Sequence, residues 1–183
     1  MKTSIASCFI LLAAIQTFAP APASAADFSC AELLRKEFFD AAIAACSEEM
    51  KSDTNRYIPL VNRGTAYQMK AMYAEALADF SDAIALEPKR AKAYMKRGLL
   101  QCFQNNYAEA QQDVFRAAEI EPSAASFMAI VEVYALQNKT DDACRWLRRT
   151  VETGSRPLDY VTTEKASRSI RNSSCYKDII AGN

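Results

Sequence analysis

Residues 57–90 and 91–124 are two copies of one 34-residue pattern, aligned without a gap. Arg63-Gly64 falls on Arg97-Gly98, and Tyr73-Ala74-Glu75-Ala76 on Tyr107-Ala108-Glu109-Ala110. Asp79 falls on Asp113, Ala83 on Ala117, and Glu87-Pro88 on Glu121-Pro122. These ten identities in 34 positions are several times what unrelated segments share. A period of this length constrains the fold strongly. Each copy is one supersecondary unit that cannot bury its apolar face alone, so copies must stack. Within a copy, Ala76, Phe80, Ala83 and Ile84 make one helical stripe. Ala71-Met72 is a tight connection, and Pro88 ends the unit because the residue before a proline is pushed from helical geometry. The reading is an all-α solenoid of stacked helix-turn-helix units. Its array helices are expected near 28–36, 39–51, 57–70, 73–86, 91–104, 107–119, 124–137 and 140–153.

The two copies resemble the tetratricopeptide repeat (TPR). Leu60, Gly64, Tyr67, Ala76, Phe80 and Pro88 fit its pattern in the first copy; Tyr94, Gly98, Ala110, Val114 and Pro122 fit in the second. Arg63 and Arg97 depart from the leucine place, and Gln101 from the tyrosine place. The flanks are weaker copies. Residues 26–56 read as a first unit with a truncated first helix, and 125–156 as a divergent unit in which Val131 replaces the glycine. Residues 157–183 resemble the end-of-array segment of bacterial members, which implies short helices capping the last exposed face.

The chain starts with an address. Met1-Lys2 is followed by an apolar stretch, Ile5 to Phe18, then the breaker Ala19-Pro20-Ala21-Pro22 and the small-x-small run Ala23-Ser24-Ala25. Residues 1–25 read as a secretory signal peptide cut after Ala25, with Ala23 the second choice. About 14 apolar residues fall short of the roughly 20 that span a bilayer, so no membrane insertion of the mature chain is expected. The expected location is a periplasm or the cell exterior.

Five cysteines remain after that cut: Cys30, Cys46, Cys102, Cys144 and Cys175. An oxidising compartment makes disulfides the default. In the register that the TPR resemblance implies, Cys30 and Cys46 take the close-packed small place and the stripe place of one repeat. They therefore face each other across a helix pair. Cys144 begins the last array helix, and Cys175 lies in the segment expected to fold back on it. The expected pairs are Cys30–Cys46 and Cys144–Cys175, leaving Cys102 as a thiol.

Composition excludes much chemistry. With no histidine, Ser-His-Asp and Cys-His catalysis and His-ligated metal are out. Four glycines include no phosphate-cradling loop, and C-x-x-C is absent. Neither a metal nor an organic cofactor is expected. Lys plus Arg and Asp plus Glu are both 22, so bulk charge does not point to nucleic acid. Charge is uneven: residues 26–56 carry 4 basic and 7 acidic side chains, and residues 139–183 carry 9 and 6. An enzyme would have to rest on Cys102, with no histidine to activate it, or on the Glu48-Glu49 neighbours, which point apart on one helix.

The resemblance implies a concave face lined by first helices, where relatives hold a protein or peptide partner. Helical spacing puts Asn62, Thr65, Met69, Lys92, Lys96, Leu99, Phe103, Met128 and Glu132 there. Asn62, Lys92 and Lys96 match part of a carboxylate-binding subgroup, but Asp27 and Ala31 stand where its Lys-Asn pair would be. The bland alternatives are solvated lysines, and a Met-Phe stripe covered by neighbouring helices. Function therefore reads as a non-catalytic scaffold for a protein or peptide, or a structural module that packs on its own copies.

Overall fold

The computed structural model of the protein describes residues 28–52, 55–154 and 164–181. The expected signal peptide lies outside the described residues. All regular structure among the described residues is helical. The helices are α1 (Cys30–Arg35), α2 (Phe39–Ser52), α3 (Tyr57–Met69), α4 (Tyr73–Leu86), α5 (Ala91–Phe103), α6 (Tyr107–Ile120), α7 (Ala124–Leu136), α8 (Thr140–Glu152), α9 (Glu164–Asn172) and α10 (Ser174–Ala181).

Each array pair turns in the same way. Glu37, Ala71, Asn105 and Asn138 alone among non-glycine described residues have positive φ, between 58° and 66°. The amide after each reaches back five residues: Phe38 to Leu33 O, Met72 to Tyr67 O, Asn106 to Gln101 O and Lys139 to Tyr134 O, at 2.9–3.0 Å. This left-handed stop satisfies helix-end carbonyls and reverses the chain. Its recurrence at 34, 34 and 33 residues makes the flanking pairs structural equals of the two obvious copies. The step of 33 arises in the loop: Glu87-Pro88-Lys89-Arg90 precedes α5, whereas Glu121-Pro122-Ser123 precedes α7. The fourth pair therefore begins at Ala124, where Ser123 caps α7 and accepts from the Ser126 amide. Ser29 caps α1 in a reciprocal arrangement with Glu32, whose carboxyl is held below its ordinary range chiefly by the Ser29 amide.

Gly64 and Gly98 sit where paired helices come closest. A Cβ on Gly64 would lie 2.8 Å from Phe80 Cε1, and one on Gly98 3.0 Å from the Ala110 carbonyl oxygen. Arg63 and Arg97, the departures from the leucine place, have a structural role. Arg63 Nε and Nη2 donate to Asp79 Oδ2 and Oδ1 at 2.9 and 2.7 Å, and Nη1 to Ser47 Oγ at 3.0 Å. Arg97 does the same with Asp113, at 2.7 and 2.8 Å, and with Ser81, at 3.1 Å. Each arginine joins its own helix pair to the second helix of the preceding unit. The hydrogen bonds to Asp79 and Asp113 push both guanidinium groups further above their ordinary range.

Disulfides join Cys30 to Cys46 and Cys144 to Cys175, with Cα separations of 4.9 and 6.0 Å. Cys102 lies outside both, buried, with its Sγ 4.0 Å from the Val133 carbonyl. The helices α9 and α10 lie against α7 and α8. Their Ile170 and Cys175 complete a core with Met128, Val131, Ala135, Ala143 and Leu147.

Candidate partner-binding face

Among the described residues, each odd-numbered array helix touches the next odd one, α1 to α3, α3 to α5 and α5 to α7. The even array helices α2, α4, α6 and α8 make no comparable contacts with one another. A stack in which one row of helices is drawn together curves toward that row, so the odd helices form its inner side.

The side chains expected on that side divide into three groups. Met69 and Phe103 stand out, each 58 % exposed. Lys92 is exposed, and Lys96 and Leu99 are half-buried one and two turns along α5. Thr65 is half-buried and donates from its hydroxyl to the Val61 carbonyl at 2.8 Å. Asn62, Met128 and Glu132 are buried. For Met128 the structure differs from the sequence reading. Its side chain has no exposure and belongs to the core under α9. The physical reason is that α7 is apolar nearly all round and is covered on its outer sides by α8 and α9.

Electrostatics single out Lys96. Burial pulls its amine below the usual lysine range, Lys92 one turn before it pulls the same way, and Glu132 across on α7 opposes them. An added anion here would meet these two cations and the buried Glu132 carboxylate together.

Sequence reasoning placed Met69 and Phe103 on this side but missed that Leu136 continues their row. Met69, Phe103 and Leu136 are the last residues of α3, α5 and α7 and so occupy one repeat position. Leu136 is half-buried, and Phe103 packs edge-on against Tyr73 at 5.7 Å between ring centroids. The register 69, 103, 136 was available in the sequence, but only once the fourth unit was shifted by 33 instead of 34. Ile58, 37 % exposed, adds an apolar residue near the start of α3. The inner side thus combines cations on the first half of α5 with apolar side chains at the ends of α3 and α5. Among the described residues no group of three or more His, Cys, Asp or Glu is placed to hold a metal. No helix among them is long and apolar enough to cross a membrane.

Solved structures share this architecture. TTC0263, a thermophilic TPR protein of Thermus thermophilus, is 16 % identical with a TM-score of 0.67, over 78 % of each chain. A tetratricopeptide repeat protein from Parabacteroides merdae ATCC 43184 is 19 % identical with a TM-score of 0.65, over 83 % of this chain and 60 % of that one. The fold is a tetratricopeptide-repeat solenoid. MamA from Desulfovibrio magneticus RS-1 is also similar, at 16 % identity and a TM-score of 0.62, over 83 % of this chain and 85 % of that one. No family model matches the chain, and no curated protein matches its sequence. What these structures share with the chain is the TPR architecture.

Proposed function

We propose that this protein is an exported, non-catalytic TPR scaffold that binds a protein or peptide along the inner side of its array. One observation carries the reading: Met69 and Phe103, equivalent residues of successive repeats, are large apolar side chains left 58 % exposed at the ends of α3 and α5, the helix whose first half carries Lys92 and Lys96. Exposed large apolar residues at a repeated position are a mark of a contact surface. The two disulfides support residence in an oxidising compartment, in line with the signal-like residues 1–25.

The test places a photoreactive amino acid at Phe103, at Lys92 and, as an outer-face control, at the exposed Arg116 of α6. Irradiation in cells should link the first two positions, and not the third, to one distinct partner. Links only to further copies of this chain would overturn the reading in favour of a self-packing module. Retention of residues 1–25 on the cellular protein would overturn export.

A further inference from the structure

The two disulfides are not equally protected. Cys30 and Cys46 are both fully buried, whereas Cys144 is half-buried and Cys175 is 7 % exposed. A void of about 10 Å³, room for one water at most, lies beside the second pair among Ala143, Cys144, Leu147, Ile170, Ser173 and Cys175, so packing there is incomplete. The two bonds also hold different things. Cys30–Cys46 ties α1 to α2 within a unit whose Leu33 and Ala42 pack on Ala66 of α3. Cys144–Cys175 ties α8 to α10, which with α9 forms a cap of only nine and eight residues. Helices so short do not persist in water without support. The buried apolar hold among the described cap side chains is Ile170 and Cys175 itself, with Tyr176 and Ile179 half-buried beside them.

We propose that the Cys144–Cys175 bond is a thiol-sensitive latch: reduction by a dithiol releases α9–α10 and bares the apolar face formed by Met128, Val131, Ala135, Ala143 and Leu147. The step balances within the reagents named. A thiolate of the dithiol attacks Cys144 Sγ, forming a mixed disulfide and releasing Cys175 as a thiolate that takes a proton. The second thiol of the reagent then closes its own disulfide and releases Cys144. Two electrons pass from the dithiol, one protein disulfide becomes two thiols, and the reagent leaves as a cyclic disulfide. The Cys30–Cys46 bond survives because neither of its residues is open to attack. The latch operates whether or not the inner side of the array binds a partner.

The purified oxidised chain is titrated with dithiothreitol, quenched by alkylation and mapped. Cys144 and Cys175 should become labelled at a reagent concentration at least tenfold below that needed for Cys30 and Cys46. Over the same range, amide hydrogen exchange in α9–α10 should accelerate at least tenfold, with α3–α6 unchanged. The C144S/C175S variant should show the same fast exchange without reductant, together with increased binding of an apolar fluorescent dye. If that variant does not fold, the reductant arm on the native chain decides alone. Labelling of Cys30 and Cys46 at the same or a lower concentration would overturn the proposal. So would unchanged exchange in α9–α10 after Cys144 and Cys175 are labelled.

Discussion

The interior junctions of this solenoid and its last junction solve one packing problem with opposite chemistry. At the interior ones, Ser47, Arg63 and Asp79, and 34 residues on Ser81, Arg97 and Asp113, form a hydrogen-bonded chain across three successive helices. In the register of the turns, the last junction holds Phe115, Ile130 and Trp146 instead. Phe115 and Trp146 meet edge-on at 5.5 Å beside the fully buried Ile130. A bidentate Arg–Asp pair fixes geometry and spacing, so successive units take one rotation. Apolar residues fix less geometry but bury more area, which suits a helix that must be enclosed. Ten of the thirteen residues of α7 are buried, against seven in α3 and five in α5, which keep a face in water. Polar clamping therefore marks the units that leave a face in water, and apolar packing marks the unit that closes the array.

The largest effect should come from forcing interior chemistry into the last junction. Ile130→Arg buries a guanidinium where no aspartate waits, since Trp146 occupies that place. An uncompensated buried charge costs about 3–5 kcal/mol. Trp146 is the only tryptophan, so urea unfolding followed by its fluorescence reports on this junction directly. A loss under about 1 kcal/mol would show that the junction is open to water and that the contrast is false.

The reverse exchange should be milder. Asp79→Leu strands the Arg63 guanidinium, whose side chain is 23 % exposed, and should cost about 2–3 kcal/mol, below the fully buried case because water reaches the arginine. The double variant Arg63→Leu/Asp79→Leu removes both charges and should return to within about 1 kcal/mol of the parent in urea unfolding. A double variant clearly less stable than the parent, though better than the sum of its singles, would mean that the clamp contributes net stability, and one equal to that sum would show no coupling between Arg63 and Asp79 at all.

Much of this was legible before any coordinates. The period, the breakers at Pro88 and Pro122 and the stripes through Phe80 and Val114 place the array helices, because local propensity and burial agree along those segments. The Cys30–Cys46 pair follows from the same register, and the Cys144–Cys175 pair from the resemblance of the tail to an end-of-array segment that folds back. The clamp was not legible. Arg63 and Arg97 read as departures from a pattern, since a long polar side chain at a packed place gives no sign of the aspartate 16 residues on that receives it. The inner side was partly legible. Helical spacing put Met69, Lys92 and Phe103 where water reaches them, because the open flank of α3 and α5 follows from the repeat itself. It failed for Met128, because helical spacing counts a position on the face without telling which side chains the expected fold-back of the cap will cover, and α9 covers this one.

The smallest predicted effect tests the same contrast at the glycines. Gly64 and Gly98 fill the close-approach place of the interior units, and Val131 fills it in the last, fully buried. Alanine in a helix gains about 1 kcal/mol over glycine by propensity alone. Against that stands overpacking, at about 1–3 kcal/mol. At Gly98 the new Cβ would meet the Ala110 carbonyl oxygen, Asp113 Cβ and Val114 Cγ1, all at 3.0 Å. The first of these is backbone, so α5 and α6 must separate as whole helices and disturb the Arg97–Asp113 pair. At Gly64 the nearest atoms, at 2.8 and 3.0 Å, belong to the Phe80 ring edge, which tilts more readily than a helix shifts. Gly98→Ala should therefore lower stability by about 1–2 kcal/mol and Gly64→Ala by less than about 1 kcal/mol, after the propensity gain is subtracted. Urea midpoints of the two variants, read by circular dichroism, decide the order. Equal or reversed losses would show that helix spacing in the interior units is set by the arginine clamps and not by the missing Cβ atoms.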